Sequence, residues 1–432
     1  MIKFFNNIYA ELINSQYLRN LFLLTSGVGM SQLIPLLLLP LLTRFFSPVD
    51  FGIFALFMAI VQLLATTMTF RLEMTVVLPK KDTDAALLCF MSFVTLCVLS
   101  ITVLGLVFIL YSTELLVSLR QEVIIVPENI FLLVLCLIPM GSFCLGCYNI
   151  LYSWNNRLEL YQNMSYSHIA HSFFSTPAAI LFSFSPLQPI GLIVGQIIGR
   201  CIACFLLFSH LLQNLKLIPK ENIRYRGISL VTKYKKFIIF ETPHAILNFM
   251  SQKFIIGVFS LFFGFFTVGV FELADKIIGK PLGIISNSFK TVFYKRLTTA
   301  KDKLMVFKKS ILLMTIISFI LTTPFYLIPD HFFIFLLGDE WSDTGKYIQL
   351  LCPLLFSRFI FNVVMPSISY TLQNHYLLIW QIIYFMSLIL LFWFVHELTV
   401  EHVLLLYAIF GACMYAALGL VSFLVLKNHV KN

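Results

Sequence analysis

Arg200, Lys253, Lys276 and Arg358 each stand near the middle of a long apolar stretch. A charge at the centre of a bilayer costs about 2.5–3.5 kcal/mol on insertion scales. Four of one sign at similar depth therefore mark a water-lined space that holds something negative. Guanidinium and ammonium groups both suit phosphate, the guanidinium through its two-pronged donor face. Lys280 adds a fifth base, and the carboxylates nearby are fewer. Glu272 and Asp275 share one apolar stretch with Lys276 and Lys280, and Glu241 lies nearer the cytoplasmic end of the stretch before it. Glu272 and Lys276 are spaced i,i+4 and can pair on one helix face. Asp275 points about 100° away, toward another helix or toward a proton of its own. Five bases against three acids leave an excess positive field that favours phosphate or carboxylate. Asp275, Glu272 and Glu241 are the groups able to carry a coupling ion.

These residues need spans to hold them. The chain has 432 residues, 59% hydrophobic and 12% charged, with a mean hydropathy of +0.92. Soluble domains carry roughly 25% charged residues, so this is an integral membrane protein. About twenty apolar residues cross a hydrocarbon core. That length predicts twelve spans, at 21–43, 51–70, 85–111, 128–153, 163–185, 188–212, 237–263, 265–289, 307–336, 345–371, 375–396 and 400–426. The expected fold is all-α and polytopic, with two six-helix lobes around a central cavity. Residues 1–212 make the first lobe, 213–236 a basic cytoplasmic linker, and 237–432 the second lobe. Of the 30 Lys and Arg residues, 22 fall on the side of the N-terminus and only Arg44, Arg120 and Lys346 on the other. The positive-inside rule then places both termini in the cytoplasm. Trp154 and Trp341 fall at predicted span ends, where indole rings line membrane interfaces.

Other chemistries find little support. The net charge of +10 sits in short loops rather than on a polar domain, which argues against nucleic acid. The nine cysteines all lie in apolar segments and read as small packing residues. His168 and His171 share a face of the fifth span and read as packing rather than as a metal site. Walker A, H-E-x-x-H and G-x-S-x-G patterns are absent, so neither ATP use nor hydrolysis is expected. The N-terminal twenty residues lack the apolar core and cleavage site of a signal peptide.

Residues 17–57, YLRNLFLLTSGVGMSQLIPLLLLPLLTRFFSPVDFGIFALF, resemble the opening of bacterial polysaccharide flippases. RLEMTVVLPKKDTDA at 71–85 looks like the R-x-E-x-x-x-x-L-P-K segment of that family. Residues 248–289 look like its seventh and eighth helices, and GDEW at 338–341 resembles a segment before its tenth. The family is the polysaccharide-transporter branch of the multidrug/oligosaccharidyl-lipid/polysaccharide (MOP) exporter superfamily, which includes the O-antigen (Wzx-type) flippases. The resemblance covers nearly the whole chain. It implies a transporter, not an enzyme, that moves an undecaprenyl-pyrophosphate-linked oligosaccharide across the bacterial inner membrane. Its implied partners are that lipid-linked glycan, membrane lipid and polysaccharide assembly proteins. It implies no cofactor and coupling to an ion gradient, H+ rather than Na+. The family's cavity cations match Lys253 and Lys276, the latter replacing an Arg of many relatives. Arg44, Arg71 and Glu73 match family positions near helix ends, where orientation and local ion pairing would also explain them. A MATE-like drug or cation exporter would want buried acids in the first lobe, and 21–43 has none. A membrane glycan polymerase or ligase would want a large outer loop, and the longest predicted here is about sixteen residues.

Overall fold

A computed structural model of the chain describes residues 16–112, 128–186, 188–215, 223–300, 302–371, 373–395 and 398–431. Arg120 and residues 216–222 of the expected linker lie outside them. The described residues are helical throughout, with no strand among them. The helices are α1 (Gln16–Leu37), α2 (Leu39–Phe45), α3 (Pro48–Met68), α4 (Leu72–Thr75), α5 (Asp82–Ser112), α6 (Glu128–Arg157), α7 (Tyr161–Ser183), α8 (Gly191–Leu215) and α9 (Ile223–Lys233). They continue as α10 (Lys235–Phe262), α11 (Gly264–Thr299), α12 (Lys303–Thr322), α13 (Pro324–Leu327), α14 (Asp330–Leu337), α15 (Thr344–Val364), α16 (Pro366–Tyr370), α17 (His375–Val395) and α18 (Val400–Lys431).

Hydrocarbon leaves no water for backbone groups, so helices that satisfy their own hydrogen bonds are the available solution. Nine of the described helical stretches are long and apolar enough to span, and α1 with α2 make a tenth bent by 43°. Pro35 and Pro40 flank that bend and interrupt the ladder there. The helices at the fifth and eighth predicted spans, α7 and α11, have the length, at 23 and 36 residues. They fall short in hydropathy because α7 is rich in serine and histidine and α11 carries the charges. At 1.5 Å per residue α11 is about 54 Å long, well beyond the ~30 Å hydrocarbon core. Lys290, Lys295 and Arg296, expected in a loop, therefore continue this helix. Their position at its C-terminal end suits the helix dipole.

The described residues divide into two compact units. The first holds residues up to Phe46 and Leu56–Ile246; the second holds Ser47–Ala55 and residues from Leu247 onward. Within the expected linker, 223–233 form α9, which packs on α5 through Gly227 against Met91. In the first unit, α7 and α8 pack closely because Gly195 and Gly199 face the Ser175 and His171 carbonyls, the small-xxx-small arrangement of membrane helices.

The first two turns of α3 belong to the second unit for a local reason. Ser47 and Asp50 form a capping pair, with the Ser47 backbone N–H and hydroxyl each donating to Asp50 Oδ2 at 2.9 Å. Pro48 fills the first helical position. A Cβ on Gly52 would lie 2.0 Å from the Phe265 carbonyl oxygen, and one on Gly269 would lie 1.8 Å from that of Pro48. The two glycines let α3 and α11 touch backbone to backbone, which brings Phe51 and Phe54 over α11. Trp341 seals the contact edge-on against Phe51, with ring centroids 5.0 Å apart.

Trp341 and Trp154 are both fully buried, which corrects their expected place in an interfacial belt. Trp341 follows Gly338, whose φ of 103° turns the chain inward after α14. Trp154 packs with Leu88, Leu96 and Leu207 in the core of the first unit.

Replacing Gly269 with Ala should lower stability by about 1–3 kcal/mol, the range for overpacking a tight contact. Thermal unfolding of the purified protein in detergent reads this directly, and an unshifted midpoint would contradict the close approach.

Candidate functional site

The cations of the second unit gather around a helical hairpin. Gly264, at a φ of 79°, reverses the chain between α10 and α11 with Phe263 as the turn residue. Counted from that turn, Lys253 lies about 14 Å down α10 and Lys276 about 18 Å down α11, at 1.5 Å per residue. Both are near the middle of a ~30 Å core.

Each of two carboxylates takes a cation from another helix. Lys253 Nζ of α10 lies 3.5 Å from Glu272 Oε2 of α11. Arg358 of α15 donates through a guanidinium nitrogen to Asp275 Oδ1 of α11 at 3.1 Å. Gly279, one turn along α11, leaves room for this bridge, since a Cβ there would lie 2.6 Å from Asp275 Oδ1 and 3.0 Å from Arg358. Lys276 does not take the i,i+4 carboxylate of Glu272 as its ion pair. Its ammonium instead sits over the rings of Phe51 and Phe54, 5.4 and 5.1 Å from their centroids. Such cation–π contacts stabilise an ammonium without neutralising it. Lys280 is exposed one turn further on.

The sum is four cations against two carboxylates, a net excess of two positive charges. The paired cations are not sealed off: Lys253 keeps 28% of its side chain accessible and Arg358 keeps 35%. Groups so placed can meet an incoming anion while their carboxylates hold them in position.

Arg200 belongs to the first unit. Its guanidinium lies 4.5 Å from the centroid of the Tyr148 ring. Tyr148, Tyr152 and His168 pack together with centroids 5.4–5.8 Å apart. The Tyr148 hydroxyl lies 3.2 Å from the Ser167 hydroxyl. Buried His171 Nε2 has no hydrogen-bond partner among the described residues. The cation of α8 is held over the Tyr148 face of α6, in a ring group that His168 of α7 completes.

The segment at 71–85 is built around Arg157. Its guanidinium donates to the carbonyls of Val76 and Pro79 at 3.1 and 2.8 Å and to Asp82 Oδ1 at 2.8 Å. Phe70 and Arg71 are both left-handed, at φ of 47° and 55°, a conformation that costs a non-glycine residue energy. The Thr242 hydroxyl donates to the Phe70 carbonyl at 2.9 Å and helps hold this turn. Arg71 stands 3.7 Å from Glu73 Oε1 and 4.0 Å from Glu241 Oε1. Glu73 is fully buried and neither of its oxygens has a hydrogen-bond partner among the described residues. Burial pushes its carboxyl above the ordinary glutamate range, and the Arg71 charge offsets only part of that. Arg44 is exposed in the last turn of α2.

The sequence model of the polysaccharide biosynthesis protein family matches residues 41–346. No curated protein sequence matches the chain. Among solved structures, the chain is similar to an inward-facing multidrug resistance MATE family transporter of the MOP superfamily, at 13% identity and a TM-score of 0.67, covering 95% of this chain and 94% of that one. It is similar to the lipid II flippase MurJ in an inward closed conformation, at 16% identity and a TM-score of 0.64, covering 95% and 88%. A third likeness is a MOP superfamily transporter from Pyrococcus furiosus described by the reverse polarity of its binding pocket, at 12% identity and a TM-score of 0.51, covering 95% and 94%. The fold is that of MOP superfamily transporters.

Replacing Glu73 with Gln should stabilise the protein increasingly as pH rises. A carboxyl whose folded value is raised contributes no penalty below the ordinary glutamate range, and its burial costs more as pH climbs through the raised value. Unfolding midpoints of wild type and E73Q taken from acid to neutral pH should diverge with the variant higher at neutral pH. A constant gap would contradict the buried, ionising carboxyl.

Proposed function

The chain belongs to the polysaccharide biosynthesis protein family, and from that premise we propose that it is a flippase for an undecaprenyl-pyrophosphate-linked oligosaccharide. The glycan is an O-antigen or a related repeat unit of the lipopolysaccharide type. It moves from the inner to the outer leaflet of the bacterial inner membrane by alternating access. Both termini of the protein face the cytoplasm in this reading, and polysaccharide assembly proteins act on the product.

The observation that carries the reading is the net positive layer at mid-membrane depth, with Lys276 held by phenylalanine rings rather than by a carboxylate. Carrying an unpaired diphosphate through hydrocarbon is prohibitive, with an idealised cost of order 20 kcal/mol per unit charge. Lys253, Lys276, Lys280 and Arg358 offer that charge a polar resting place. The diphosphate would rest on these groups while the glycan stays in water and the polyprenyl tail stays in lipid. No covalent step and no cofactor are required.

An ion gradient, H+ rather than Na+, supplies the direction. Asp275, Glu272 and Glu241 are the groups that would carry the ion.

The MATE-like fold would also suit a drug or cation exporter. The sign of the charge excess argues against a cationic cargo. A glycan polymerase or ligase needs catalytic groups that no motif in this chain supplies.

Replacing Lys253 and Lys276 together with Ala should reduce glycan export by roughly 10- to 100-fold per lost cation contact. Membrane insertion should be unchanged, and single lipid-linked repeats should accumulate on the cytoplasmic leaflet. Full surface glycan in the double variant would overturn the assignment, and repeats already exposed on the outer leaflet would favour a polymerase.

A further inference from the structure

Helix α17 is almost wholly apolar, and Gln381 is its one side-chain amide. That residue is only 8% exposed. Its Nε2 donates to Asn248 Oδ1 of α10 at 2.8 Å. Gln252 Nε2, one turn along α10, donates to the same oxygen at 2.9 Å. A carbonyl oxygen has two lone pairs, so these two bonds fill it. Three groups are left with no other hydrogen bond among the described residues: the Asn248 amide N–H pair and the Oε1 atoms of Gln252 and Gln381. The cluster thus presents donors and acceptors together and carries no charge.

Asn248 and Gln252 are exposed although they lie within the spanning stretch Ile238–Phe262. Unpaired amides facing acyl chains would cost several kcal/mol each, so this face of α10 is a wet one. Lys253 is the next residue after Gln252, about 100° away around α10, so the amide face borders the cation face.

We propose that Asn248, Gln252 and Gln381 form a subsite for the neutral hydroxyl or acetamido groups of the sugar nearest the diphosphate. This rests on the flippase reading. A hydroxyl both donates and accepts, and an acetamido group brings one N–H and one C=O, so either can match the free positions. A carboxylate would confront the two glutamine carbonyls and is disfavoured. The cations read the diphosphate, and the amides read what is attached to it. Residues that only tied α10 to α17 would serve stability alone, as interhelical amides can.

The test compares two probes on purified protein in lipid nanodiscs: undecaprenyl diphosphate, and undecaprenyl diphosphate bearing one N-acetylglucosamine. Wild type should bind the glycosylated probe more tightly. N248L/Q381L should lose that preference, about tenfold for the lost hydrogen bonds, and keep its affinity for the bare diphosphate. Q252L, altered at an exposed position, should lose part of the preference and serves if the double variant does not fold. Equal weakening toward both probes, an unchanged preference in the variants, or no preference in wild type would overturn the subsite. Wild-type protein that binds neither probe would overturn the flippase reading itself, and the subsite with it.

Discussion

Positive charge held inside hydrocarbon is the constraint on which the second unit is built. Each cation at that depth needs either a carboxylate, an aromatic face or water. Lys253 and Arg358 have carboxylates on a neighbouring helix. Lys276 has two phenylalanine rings. Complete pairing would leave a neutral core with no reason to attract an anion. Absence of pairing would leave charges that the helices could not hold in place. The arrangement lies between, with half of the positive charge balanced and both balanced cations still accessible.

Several local features follow from it. The backbone contact at Gly52 and Gly269 brings Phe51 and Phe54 to Lys276, and Trp341 packs behind Phe51. Gly279 leaves space for Asp275 to meet Arg358. The polarity of α11, which keeps it below the hydropathy of an ordinary span, is the consequence of carrying this set on one helix. In the first unit the same need is met differently. Arg200 lies over Tyr148 in a group of tyrosine and histidine rings.

Much of this was legible in the chain itself. Apolar length alone located the spans, because a bilayer imposes one dimension on every crossing segment. The mid-span position of Lys253, Lys276 and Arg358 followed from the same count. Partner choice was not legible. An i,i+4 rule pairs Glu272 with Lys276, but Lys253 on the adjoining helix reaches that carboxylate, and only packing of α10 on α11 decides between them. Trp341 looked interfacial by its place in the sequence and is buried by a turn at Gly338 that brings it onto Phe51. The grouping of Ser47–Ala55 with the second unit depends on two glycines more than two hundred residues apart. Gln381, a single amide in an apolar helix, was the available signal for the Asn248 cluster, and its meaning required the position of Asn248.

The most direct test is the water accessibility of the cationic layer and its response to an anionic lipid. With native cysteines replaced, Lys253→Cys and Lys276→Cys variants would be exposed to a charged, membrane-impermeant thiol reagent in reconstituted vesicles, beside Ile316→Cys on an exposed apolar helix face. The account predicts that both former lysine positions react, that undecaprenyl diphosphate slows them, and that the Ile316 position stays unreactive. Former lysine positions as inert as Ile316, or reaction rates indifferent to the diphosphate, would contradict it.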